Sequence, residues 1–168
     1  MPTDNTGLSR RKLLRTTAIG VPAAGLLAFG STLVTATSAN AVEVDGWWGS
    51  ETSAGLQRLM NAVIPEAQLT VDGVISGQNA GMAPYCPGIV GGWEWVPVDQ
   101  PQYGSPTIEC MRCWLRKVTY FPSGVGETLS FNEIDALQDH YKLPRTRRLE
   151  GGSSAIRNLQ SEINQWVG

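Results

Sequence analysis

Four stretches of the chain repeat apolar residues at intervals of three and four, the spacing that gathers side chains on one face of an α-helix. Leu56, Leu59, Met60 and Val63 mark a first helix over about residues 51–62. Ile108, Met111, Leu115 and Val118 mark a second, opened by Ser105 as cap and Pro106 at the first helical position, where the missing N–H of proline costs nothing. Phe131, Ile134, Leu137 and Tyr141 mark a third, and Ser130-Phe-Asn-Glu133 ahead of them has the reciprocal form of a capping box. Ile156, Leu159, Ile163 and Trp166 mark a fourth, which starts after Gly151-Gly152 with Ser153 or Ser154 as cap. For the first helix the cap is expected at Ser50 or Thr52. Between the first and second helices, Gly77 to Gly104 is rich in Pro, Gly and Trp and reads as a long ordered loop. Trp93 and Trp95 alternate within it and project to one side of an extended segment.

The helices share a local signature. Leu56-Gln57, Leu137-Gln138 and Leu159-Gln160 sit mid-helix, with Met111-Arg112 at the equivalent place in the second. Their turns echo one another as well. Asp45-Gly-Trp-Trp-Gly-Ser-Glu-Thr52 and Asp72-Gly-Val-Ile-Ser76 both begin with a turn dipeptide, in which Gly accepts positive φ and Asp bonds its own backbone. Ser123-Gly-Val-Gly-Glu-Thr128 is a weaker echo, and Thr146-Arg-Arg-Leu-Glu150 stands where a further Asp-Gly turn is expected. Self-similarity of this kind points to helix-turn units that bury their apolar faces against one another.

Residues 1–41 have a different character. Ser9-Arg-Arg-Lys-Leu-Leu14 resembles a twin-arginine export signal, a weakly apolar stretch follows to about Leu33, and Ala39-Asn40-Ala41 has the small-x-small form of a cleavage site. The expectation is a removed leader, a mature chain over 42–168 with no membrane span, and a secreted or wall-associated location. Four of the 13 basic and one of the 15 acidic residues lie in this leader, so the mature part carries nine against fourteen, a net charge of −5. That balance gives no general attraction to nucleic acid or to anionic surfaces.

The candidate chemistry is sparse. Cys86, Cys110 and Cys113 are the disulfide candidates, with Cys86 bridged to one of the other two or Cys110 bridged to Cys113, leaving one thiol over. A single His140 beside Asp139 is too little for a zinc site or for a cysteine–histidine nucleophile, so no metal, no cofactor and no catalytic residue is expected. The aromatic residues are more informative. Trp47, Trp48, Trp93 and Trp95 all fall outside the helices; indole faces stack on sugar rings, and the same residues also complete small cores. Trp48 is placed in the core and Trp47 at the partly exposed edge, while Trp114 and Trp166 are packing residues. The candidate ligand-binding set is Asp45, Gly46, Trp47, Trp48, Asp72, Trp93 and Trp95.

At Asp45, Gly46, Gly49, Thr52 and Leu56-Gln57 the chain is similar to the peptidoglycan-binding-domain family in its small three-helix form, whose signature is roughly D-G-x-x-G-x-x-T-x-x-A-L/V-x-x-Q. The similarity covers Val44–Gln78, nearest to versions in secreted actinobacterial proteins, and continues as a weaker echo over Gly104–Gly168. It implies a mainly all-α fold. On that reading residues 42–80 form one unit, 81–103 an ordered loop, and 104–168 a second, diverged unit that keeps the packing and loses the turn chemistry. It implies a non-catalytic protein that binds peptidoglycan or another cell-wall glycan, alone or beside a separate wall hydrolase. The alternative is a protein-interaction or structural module, an effector or inhibitor, on the same scaffold. A glycan or a protein is the partner in these readings; an enzyme with an unrecognised site is a third.

Overall fold

The computed structural model describes residues 39–120 and 126–168. The twin-arginine motif and Ser123 lie outside the described residues. The four helices form where the apolar spacing places them: α1 at Ser50–Val63, α2 at Pro106–Val118, α3 at Phe131–His140 and α4 at Ser154–Val167. Ser105, Ser130 and Ser153 cap α2, α3 and α4 through their side-chain oxygens. At α3 both halves of the capping box are made. The cap of α1 differs from expectation. Gly49 occupies it with no side-chain bond, and Ser50 is already the first helical residue. Leu56, Leu59, Met60, Ile108, Leu115, Ile156, Leu159 and Ile163 are fully buried and form the centre of one core. Helix α1 packs against α4 and α2, and α2 packs against α3. Two expected packing residues fall outside that core. Trp166 is 52% exposed and Val118 42%, each in the last turn of its helix.

The Pro/Gly/Trp segment is not a loop throughout. β1 at Ile75–Asn79 pairs in parallel with β2 at Trp93–Val96, in the register Ile75 to Trp93 and Gln78 to Trp95, and a 3-10 turn at Ala80–Tyr85 begins the crossover. Backbone bonds in both directions between Trp48 and residues 88–90 tie the segment before α1 to the same region. Order here comes from pairing and ring packing, with no covalent tie. Cys86 is buried in the core, Cys110 and Cys113 are half-buried on α2, and all three are free. The expected bridge is not formed.

A single hydrogen-bonding device recurs through the fold. A buried glutamine from the middle of a helix reaches a turn and satisfies it at both ends of its amide. Gln57 Oε1 accepts from the N–H groups of Asp72 and Gly73 at 3.0 and 2.9 Å, and its Nε2 donates to Asp72 Oδ1 and the Val74 carbonyl at 2.7 and 3.1 Å. Gln138 does the same for Thr146-Arg147-Arg148. Its Oε1 accepts from the Thr146 N–H at 2.9 Å, and Nε2 donates to Thr146 Oγ1 and the Arg148 carbonyl at 2.8 and 3.1 Å. The turn chemistry expected to be lost at 146–150 is therefore kept. Thr146 supplies the acceptor that Asp72 supplies elsewhere, and Arg147 takes φ +56°, the left-handed conformation that Gly73 takes at +74°. In α2 the place of glutamine is held by Arg112, which donates to the Thr128 carbonyl at 3.1 Å and pairs with the buried Glu133. The fourth helix reaches back to the start of the domain.

Candidate functional site

Among the described residues no helix precedes the turn at Asp45–Thr52, and α4 supplies its glutamine. Gln160, 1% exposed, accepts from the Gly46 N–H at 2.9 Å and donates to Asp45 Oδ1, the Trp47 carbonyl and Thr52 Oγ1 at 2.9, 2.9 and 3.2 Å. Asp45 Oδ1 also accepts from the Trp47 N–H at 2.8 Å. These bonds, the Trp47 N–H first and the Gln160 amide second, hold the Asp45 carboxyl below its ordinary value. Gly46 has φ +82°, and a Cβ there would come within 2.7 Å of the Gly152 backbone. Asp45 and Gly46 are thus occupied in shaping the turn.

What the turn presents outward is Trp47. Its indole lies across the bare backbone of Gly151, where a Cβ would fall 2.1 Å from ring atom Cη2, and the residue is 45% exposed. Beside it opens a cleft of about 250 Å³ whose lining includes Glu43, Asp45, Trp47, Glu51, Thr52, Val90 and Gln160. The site therefore combines an aromatic plate on a rigid support, several carboxylates and a hydroxyl. This is the chemistry that grips a polyhydroxylated ring, apolar on its faces and polar at its rim.

The remaining candidate residues are placed elsewhere. Trp48 is 1% exposed; its Nε1 donates to Ser53 Oγ at 3.0 Å, and Ser53 Oγ donates to the Gly92 carbonyl at 3.1 Å. It is core, as one of the two readings of it required, and it is corrected out of the ligand set. Trp93 meets Trp48 edge-on at 5.3 Å and stacks on Trp95 at 5.4 Å, so the two do project together. Both are half-buried against the core, and neither lines the Trp47 cleft. The tryptophans of β2 and the Trp47 plate form no common surface in that cleft. Asp72 belongs to the second turn. Its carboxyl is likewise held low, by the Gln57 side chain first and the Val74 N–H next, and it lines a separate cleft of about 320 Å³ with α1 and residues 39–42.

His140 is engaged by Glu162 and packed against Trp114 and Tyr141. Its Nε2 lies 2.9 Å from Glu162 Oε2, which also accepts from the Tyr141 hydroxyl at 2.9 Å, and Trp114 meets the imidazole edge-on at 5.0 Å. Burial pushes the Tyr141 hydroxyl well above its usual range. Among the described residues no group of three or more His, Cys, Asp or Glu is spaced to hold a metal ion. No described helix is long and apolar enough to cross a membrane.

Sequence reasoning did not place Glu43, Glu51, Val90, Gly151 or Gln160 at the site. The Leu-Gln signature carried the signal for Gln160, since every other helix with that pair uses its glutamine to hold a turn. Gly151 and Val90 arrive from distant segments, and local pattern does not reach them. Comparison with protein-family models, curated proteins and solved structures finds no match to this chain.

Proposed function

We propose that the protein is an exported, non-catalytic module that docks on a cell-wall glycan through the Trp47 cleft. The observation that carries this reading is the Trp47 plate, fixed over Gly151 and bordered by Glu43, Asp45, Glu51 and Thr52. A glucosamine-type sugar stacks its apolar face on such an indole and donates its hydroxyl and amide hydrogens to carboxylates at the rim. Two further features support the reading. The chain from Val44 to Gln78 is similar in pattern to peptidoglycan-binding domains. The glutamine-held turns at residues 45–47, 72–74 and 146–148 are read as diverged copies of one helix-turn unit. The basic, weakly apolar leader and Ala39-Asn40-Ala41 support export by the twin-arginine route.

Co-sedimentation of the purified protein with insoluble peptidoglycan tests the proposal. The protein is expected in the pellet, and Trp47→Ala is expected to weaken binding roughly tenfold, the loss of about 1.4 kcal/mol. A folded protein, by circular dichroism, that stays in the supernatant would reject the glycan and leave the protein-interaction reading.

A further inference from the structure

Val42 is held at both of its main-chain groups. Its side chain is 5% exposed and fills the space over Gly55 together with Ile163, in the seam between α1 and α4. Its main chain is gripped from both sides by one amide: the Val42 N–H donates to Asn164 Oδ1 at 2.8 Å, and the Val42 carbonyl accepts from Asn164 Nδ2 at 2.8 Å. Ala41 before it is half-buried. Ala39 and Asn40 form an exposed turn, and the Asn40 carbonyl accepts from Arg58 at 3.4 Å. The small-x-small sequence Ala39-Asn40-Ala41 thus lies directly ahead of the buried Val42.

Taking the expected cleavage after Ala41 as the premise, we propose that Asn164 is the receptor for the N-terminus which that cleavage creates at Val42. A peptidase selective for small residues adds water across the Ala41–Val42 peptide bond. The C–N bond breaks, Ala41 leaves as a carboxylate, and Val42 keeps the nitrogen as an α-ammonium. An ammonium is a stronger donor to Asn164 Oδ1 than the amide it replaces. Glu51, Asp72 and Arg58 line the same cleft as Val42, two carboxylates against one guanidinium, a balance that suits a new positive charge. Cleavage also removes the wall that Ala39, Asn40 and Ala41 contribute to that cleft, and opens the edge of α1 at Glu51 and Arg58. The proposal rests on reading residues 1–41 as a leader and is independent of the ligand.

The test has two parts. The full chain is expressed in a bacterial host competent for twin-arginine export, and the recovered protein is analysed by N-terminal sequencing and intact mass. A chain beginning Val42-Glu43-Val44 is expected; an uncut chain, or a cut at another bond, overturns the premise and the proposal with it. The processed protein is then exposed to an aminopeptidase. Val42 is expected to be removed at least tenfold faster from Asn164→Ala than from the parent, with helicity unchanged. Asn164→Asp, which keeps an acceptor for the ammonium, should restore protection. Equal trimming of parent and Asn164→Ala, or no rescue by Asn164→Asp, overturns the receptor role while leaving the cleavage intact.

Discussion

Replacing Gln160 by Ala removes the amide that bonds the Asp45 turn at four points. The buried Gly46 N–H loses its acceptor, and an orphaned buried donor costs about 1–3 kcal/mol. The bond from Nε2 to the Asp45 carboxylate is lost as well. Asp45 is only half-buried and water takes part of that place, so about 1 kcal/mol is added. Alanine returns a few tenths of a kcal/mol as the better helix former. The expected loss is about 3 kcal/mol, a large share of the stability of a domain this size, with a fall in Tm of about 10 °C. Gln57→Ala removes a comparable set, but Asp72 is exposed and solvates readily, so about 2 kcal/mol is expected. Gln138→Ala touches neutral partners around an exposed turn and should cost about 1 kcal/mol. Urea unfolding followed by tryptophan fluorescence measures all three, and an Asp45→Asn/Gln160→Ala cycle isolates the charged pair. If Gln138→Ala proved as damaging as Gln160→Ala, burial and charge would not be what ranks these turns, and the reasoning would fail.

Gly46→Ala should be among the most damaging single changes, costing about 3 kcal/mol or more, because it sets a Cβ in left-handed backbone and against Gly152; a change in Tm below 3 °C would contradict that packing. Acid should weaken the fold through Asp45 and Asp72. Both carboxyls are held below their ordinary 3.8 when folded, so the stability they contribute is complete above about pH 4 and is lost as pH falls through the lowered values. Urea midpoints from pH 6 to pH 2 should therefore drop less steeply in Asp45→Asn/Asp72→Asn than in the parent, and parallel curves would refute the linkage. In thiol labelling, Cys86, buried and pushed up to about 12, should react at least tenfold more slowly than Cys110 or Cys113. Three thiols should titrate in denaturant without reductant; fewer would reveal a bridge.

The helices were legible because their information is local. A 3.6-residue apolar period and a serine before it suffice for α2, α3 and α4, and fail only at Gly49, where a backbone conformation replaces a cap side chain. The β1–β2 pair was hidden because Ile75-Ser-Gly-Gln-Asn79 has no alternation to betray it, and its parallel partner comes from beyond a crossover. The turn at Thr146 was misread for a related reason. Its function is carried by a hydroxyl and by a left-handed arginine, neither of which spells Asp-Gly. At the candidate site the plate, Trp47, was visible. Its support and its clamp, Gly151 and Gln160, come from the opposite end of the chain, where no spacing rule connects them.

The embrace of Asp45 by Gln160 and of Val42 by Asn164 also orders events in time. These contacts span 115 and 122 residues, and α4 is synthesised after every other described element. A ribosome-bound chain that has completed α1, the β1–β2 pair, α2 and α3 still holds an Asp45 turn with nothing to satisfy it. The final contacts close a loop of nearly the whole domain, an entropic toll that grows only slowly with length but is met late and all at once. Folding of this protein is therefore a clasp rather than a zipper, and a truncation that removes α4 should leave the first helix as unsettled as the last.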